Sequence, residues 1–450
     1  MLVDCFSGTH ASASAPAVRA FEAAVVAVAA HRPAGGDHLR EALAHDPDFT
    51  AAHALKGFAS LILARAELIA PARQALAQAR ASLERSAPTA HELALVAALA
   101  EVTEGRMLAA CAILERHTAG HRHDFLAIKL SNAMRFMAGD LAGMLAATSA
   151  VLPDWSAARP GYGFVLGCHA FGLEEAGEFA AAEKTGLAAV RHEPRDAWGL
   201  HAVSHVYEMN GRTAAGLTLL EQARPMWTQC HNFSFHMAWH LALLQMERGR
   251  NDLALDLYDH DVRPVETDDF RDIANAASLL WRLRQDRVDV GRRWDELAEL
   301  AQQRACDTTL VFASLHHLLS LIASGELQQA ERIVAALGAR ARSGQGDQGV
   351  AARRVGVDLA RAMVDFARDG ASRADMARLA RNLPAMGGSH AQRDVFLRSL
   401  MNMASQSGQC DMAMAVLDVR RKFKRDDHFA TMVQNRISAL RPAQTLKFAS

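Results

Sequence analysis

Five glycines constrain this chain more than any other feature. Gly105, Gly139, Gly177, Gly211 and Gly249 lie 34, 38, 34 and 38 residues apart, and each separates two stretches of helical apolar periodicity. A period of this length marks a stacked array of helical hairpins, each burying its apolar face against its neighbours. The segments that follow the glycines superpose: GRMLAACAILE, GDLAGMLAATS, GEFAAAEKTGL, GRTAAGLTLLE and GRNDLALDLYD. Each opens with Gly and a charged residue and puts Ala or Gly near the fifth position, where the two helices of a hairpin must approach closely. The register resumes at Gly325, 76 residues past Gly249, and at Gly370 and Gly408, 38 apart, while RQDRVDVGRRWDEL sits midway between Gly249 and Gly325 without the glycine. The four-residue difference between the two periods is about one helical turn. The expected fold is therefore all-α, a right-handed superhelix of about nine or ten hairpins, with an N-terminal arm and first helix over residues 1–36 and a continuous solenoid over 37–450.

Composition narrows the function classes. Lys and Arg total 49 against 50 Asp and Glu in 450 residues, so no basic footprint points to nucleic acid or an anionic membrane. The six cysteines form no C-x-x-C pair; they read as small buried hydrophobes rather than a zinc ribbon, redox dithiol or disulfide framework. No leader-like segment opens the chain and no stretch approaches the roughly 20 apolar residues of a membrane span, which makes the cytoplasm the expected compartment. Phosphate loops, nucleophile elbows and dinucleotide fingerprints are absent in the strand-to-helix context they need.

The chemistry has one lead among 21 histidines. Successive helical residues turn by about 100°, so His201, His205 and Glu208 fall on one polar stripe. His236 and His240 repeat the i, i+4 spacing one hairpin later, with Trp239 beside them. Facing helices pack roughly 8–10 Å apart, a gap that inward-reaching imidazoles can span. His201, His205, His236 and His240 could then ligate a divalent metal such as Zn, with Glu208 as candidate general base or as an acceptor fixing an imidazole tautomer. The string HAVSH lacks the Glu of an H-E-x-x-H zincin. A purely structural polar network is the competing reading of the same residues.

The repeats resemble tetratricopeptide repeats. With the turn glycine at position 15 of the 34-residue unit, small residues fall at position 8 (Ala98, Ala170, Ser204, Ala242) and position 20 (Ala110, Ala182, Gly216, Ala254), and Pro194 falls at position 32. The large aromatic positions are mostly missing, apart from Tyr207. The strings PGYGFVLGCHAFGLEEAGEFAAAE (160–183), WGLHAVSHVYEMNGR (198–212) and FHMAWHLALLQMERG (235–249) are similar to the tetratricopeptide repeat protein 38 family, as are AHDPDFTAAHAL and DDFRDIANAASLLWRL (268–283). That resemblance covers roughly the first two thirds of the chain and implies a fold without naming a reaction. It also implies that first helices line a concave groove. Trp198, His201, His205 and Glu208, then His236, Trp239 and Leu243, occupy the positions that face a ligand there.

Three functions follow. The groove binds a compact polar ligand or partner segment through Trp198, His201, His205, Glu208, His236, Trp239 and His240; or the same cluster serves a metal-dependent, hydrolase-like enzyme; or the array is a scaffold and the cluster internal glue. Glu174 and Glu175 could extend the acidic side of the groove. Asp259, Asp268, Asp269 and Asp272 read as caps, and Cys168 with His169 diverge too far on a helix to act as a dyad. The Met-rich segment MNMASQSGQCDMAMAV reads as adaptable core, and the Arg-rich stretch 351–383 as a solvated face.

Overall fold

A computed structural model describes residues 1–447, with side chains described through residue 440. Among the described residues the chain is helical except for one short antiparallel pairing, Leu2–Val3 against Thr9–His10. This hairpin forms the N-terminal arm. Asp4 closes it, its Oδ1 accepting from the backbone N–H groups of Phe6 (2.9 Å) and Gly8 (2.7 Å) and its Oδ2 meeting His10 Nε2 at 2.8 Å. The first helix follows as Ala15–Ala29.

Chain contacts divide the protein into two compact units, Met1–Val206 with Gln222–Ser234, and Tyr207–Glu221 with Phe235–Ser450; residues 448–450, the end of the predicted solenoid, lie outside the described residues. In the first unit consecutive helices pack in pairs, among them Ala15–Ala29 with Gly35–His45, Ala90–Thr103 with Met107–Gly120, and Tyr162–Glu175 with Phe179–His192. The second repeats the scheme, for example His390–Gln406 with Cys410–Arg420.

The glycine ruler is a ruler of left-handed turns. Gly105 has φ 75° and Gly249 φ 73°, and Gly139, Gly177, Gly211, Gly325, Gly370 and Gly408 also have positive φ. At all of these except Gly370 the residue after the glycine donates to the carbonyl five residues back, as in Arg106 N–H to Glu101 O (3.0 Å), Glu178 to Leu173 (2.9 Å) and Arg250 to Gln245 (2.9 Å). This is the Schellman closure, which satisfies carbonyls that a helix end leaves orphaned. A Cβ at Gly177, Gly211 or Gly249 would meet nothing within 4 Å, so conformation rather than space selects glycine.

The repeat that lacks the glycine keeps the turn. Arg287, 38 residues past Gly249, adopts φ 63°, and Val288 N–H donates to Leu283 O at 3.0 Å. The small positions behave as the register requires. Ala98, Ala110, Ala170, Ala182, Ala242 and Ala254 are sealed, and a Cβ at Gly216 would lie 2.8 Å from Leu244 Cδ1.

One expectation needs correction. Cys111, Cys168, Cys230 and Cys410 are buried, but Cys5, in the hairpin turn, and Cys306, in the loop after helix Trp294–Gln303, are exposed. Loops run over the surface and carry their cysteines with them. No described helix is long and apolar enough to cross a membrane.

A left-handed conformation costs an L-residue roughly 1–2 kcal/mol, and glycine's extra chain entropy offsets about 0.5–1 of that. Arg287→Gly should therefore stabilise the protein by up to about 1 kcal/mol in urea unfolding, whereas Arg287→Ala should give no gain. Equal effects of the two substitutions would contradict this account of the turn.

Candidate functional site

Helix Ala197–Met209 carries Trp198, His201, His205 and Glu208; helix Phe233–Glu247 carries His236, Trp239 and His240. Asp196 starts the first helix, its Oδ2 accepting from Gly199 N–H at 3.1 Å, and burial pushes this carboxyl up to about 7. The four histidines form a buried group: one ring nitrogen from each of His201, His205, His236 and His240 lies within 4.8 Å of the other three.

The seven residues are not displayed on an open groove. His205, Trp239 and His240 have no exposed surface, and His201, Glu208 and His236 are also buried; only Trp198 is partly exposed. Segments remote in sequence account for this cover. His31, itself at φ 54°, stacks on Phe233 at 4.2 Å between ring centroids and lies 6.0 Å from Trp198. Trp198 also packs against Phe171 (4.6 Å), and His201 stacks on the same ring at 5.4 Å. Near the other end of the helix, Lys424 Nζ reaches Glu208 Oε1 at 3.1 Å, and Arg425 N–H donates to Met209 O at 2.9 Å.

The His236/His240 pair is the most ordered part. His236 Nδ1 meets Asn275 Oδ1 at 2.8 Å, and His240 Nδ1 meets Glu208 Oε2 at 3.1 Å. Both oxygens accept, so each Nδ1 is the donor. The two Nε2 atoms then face one another at 3.3 Å. Trp239 Nε1 donates to Ser278 Oγ at 3.0 Å, and Arg282 lies over its ring at 5.4 Å. Asn275, Ser278 and Arg282 were not singled out from the sequence; the signal was available, since Asn275 and Ser278 each lie 39 residues past the side chain they hold.

A second grouping joins Glu174, Glu175 and His205, one ligand atom of each lying within 4.8 Å of the others. Glu174 is fully buried. Its Oε2 lies 3.3 Å from His205 Nδ1, and neither oxygen makes a well-aligned hydrogen bond. Burial, helped by the neighbouring Glu175 charge and opposed by His205, pushes this carboxyl up to about 7.

The weaker candidates resolve as structural. Asp269 caps helix Phe270–Gln285 through Arg271 N–H (2.9 Å), Asp272 accepts from Thr267 Oγ1 (2.6 Å), and Asp259 pairs with Arg293 (2.6 Å). Asp268 is salt-bridged to Arg304. Cys168 faces Lys129 Nζ at 3.8 Å while His169 Nδ1 meets Thr148 Oγ1 at 3.0 Å, so the two side chains do diverge. No protein-family model matches the chain.

A further cluster escaped sequence reading. Asp124, N-cap of helix Phe125–Ala138, receives His91 Nδ1 at 2.5 Å and His117 Nε2 at 2.8 Å on one carboxylate oxygen, while the other accepts from Ala127 N–H at 3.1 Å. Burial opposes charge on His91, but the Asp124 carboxylate outweighs it and lifts the imidazole above its ordinary 6.5. Burial likewise works to raise Asp124; His91 and the two histidine hydrogen bonds hold it well below its ordinary 3.8. The raised histidine contributes stability that is complete below pH 6.5 and is lost as pH rises through its folded value. The depressed aspartate contributes stability that is complete above pH 3.8 and is lost as pH falls through its folded value. Removing one member of a buried pair costs about 3–5 kcal/mol. The stability deficit of Asp124→Asn should therefore be largest between pH 3.8 and 6.5 and shrink as pH rises through the folded value of His91; a deficit that stays level as pH rises well above 6.5 in urea titrations would refute the linkage.

Proposed function

We propose that this chain is a tetratricopeptide-like repeat protein that holds a divalent transition metal on its buried imidazoles and uses it for hydrolytic chemistry on a compact polar substrate. The observation that carries this reading is the 3.3 Å separation of His236 Nε2 and His240 Nε2, with both Nδ1 atoms already donating elsewhere. A cation shared by the two ring nitrogens, whether a proton or a metal ion, holds them at such a distance, and the two further imidazoles beside them favour a metal. Ligands about 2.0–2.1 Å from a tetrahedral zinc stand about 3.3–3.4 Å apart, which matches the observed separation. His201 and His205 supply the remaining nitrogens.

A metal held by three of these nitrogens would keep one position open for a water and would lower its pKa toward about 7. The surrounding residues divide the other tasks. Glu208, the candidate base of the sequence reading, is better suited to orient His240, because its carboxylate is shared between that ring and Lys424. The proton-accepting role passes to Glu174, whose oxygens lack aligned donors. Burial of six of the seven side chains favours a compact substrate over a partner segment laid along a groove. The repeat register and the middle strings support the finer reading that the array is similar to the tetratricopeptide repeat protein 38 family.

Plasma mass spectrometry on the full chain, loaded with Zn²⁺ and dialysed, should find about one metal per chain. His236→Ala/His240→Ala should retain less than about a tenth of it, and Glu208→Gln should weaken affinity about 10–100-fold, with circular dichroism confirming helical folds. A folded wild-type protein that keeps no zinc, or a double variant that keeps as much as wild type, overturns the reading.

A further inference from the structure

Helix Phe270–Gln285 sends Asn275 and Ser278, three residues apart and so on one face, to the helix that carries His236 and His240. Asn275 is 2% exposed, and its Oδ1 accepts from His236 Nδ1 at 2.8 Å. Ser278 Oγ accepts from Trp239 Nε1 at 3.0 Å, and the indole stacks on the His236 ring, with centroids 5.2 Å apart and planes 16° from parallel. The His236 imidazole is thus held at its edge by an amide and over its face by an indole that is itself tied down. The other end of the amide gains nothing from this burial: Asn275 Nδ2 is sealed from water and makes no hydrogen bond among the described residues. An apolar side chain of similar size would fill the place without leaving a buried donor unmet. Packing alone does not account for an asparagine here.

We propose that Asn275 is a positioning residue that sets the tautomer of His236 and so readies its Nε2 as a ligand; the inference rests on the metal reading above. A neutral imidazole carries its proton on one nitrogen only. With the proton on Nδ1, His236 donates to Asn275 Oδ1 and its Nε2 lone pair stays open. With the proton on Nε2, it would bridge the 3.3 Å to His240 Nε2 and occupy both lone pairs that a metal needs. Asn275 selects the first state, because the second would leave its buried oxygen without this donor. Glu208 Oε2 does the same for His240 at 3.1 Å. One ring is oriented by a carboxylate and the other by an amide, which makes aspartate the conservative replacement at position 275.

Competition for Zn²⁺ between the full chain and a chromophoric chelator tests it. Asn275→Leu should bind Zn²⁺ about 10–100-fold more weakly than wild type, while the metal-free variant keeps its helical circular dichroism and a urea midpoint near that of wild type. Asn275→Asp restores an acceptor for His236 Nδ1 and should bind at least as tightly as wild type. Asn275→Leu binding zinc as tightly as wild type, or Asn275→Asp binding it as weakly as Asn275→Leu, overturns the role of Asn275 and leaves the metal reading standing. Wild type that holds no zinc overturns both.

Discussion

A polar group taken out of water has to be met by another group, and that requirement governs the interior of this protein. An uncompensated buried charge costs several kcal/mol, and buried Glu208, Arg420 and Asp124 each bring partners with them. Glu208 is shared by His240 and Lys424, Arg420 is clamped between Asp394 and Asp427, both at 2.6 Å, and one oxygen of Asp124 serves two histidines. Such networks add little net stability compared with apolar packing. What they do is fix which helix residue meets which, because a one-turn slip would strand every member.

The repeat architecture supplies the frame on which those partners meet. The hairpins at Gly105, Gly139, Gly177, Gly211, Gly249, Arg287, Gly325 and Gly408 are closed by the same left-handed turn and the same hydrogen bond, so the helices that follow start in a common register. Arg287 shows how strongly the frame is imposed: the backbone keeps the turn even where the side chain opposes it. Tertiary packing of neighbouring hairpins overrides a local preference worth roughly 1–2 kcal/mol.

Much of this frame could be read from residues alone. The glycine spacing predicted the turns, the small residues at two repeat positions predicted the close approaches, and the i, i+4 histidines predicted two clustered pairs. These signals are local, or recur at a fixed interval. The exposure of the site could not be read. His31 and Lys424 cover its parts through contacts that no periodicity marks; Lys424 is 216 residues from Glu208. The His91–Asp124–His117 clasp escaped for the same reason, since its members sit on three separate elements. Nor could the sequence reveal that Glu208 would be consumed by two partners, which moves it from a reacting role to an orienting one.

The span between Glu208 and Lys424 also bears on how the molecule is made. A ribosome that has completed the helix bearing His201 and His205 must still translate the remaining half of the chain before the lysine emerges. Until then Glu208 lies without its ammonium, and the nascent protein must keep that carboxylate hydrated. Contacts of this separation are slow to form, so docking of the 420–427 segment is a late event, and it brings Glu208 the ammonium that lets the carboxylate leave water.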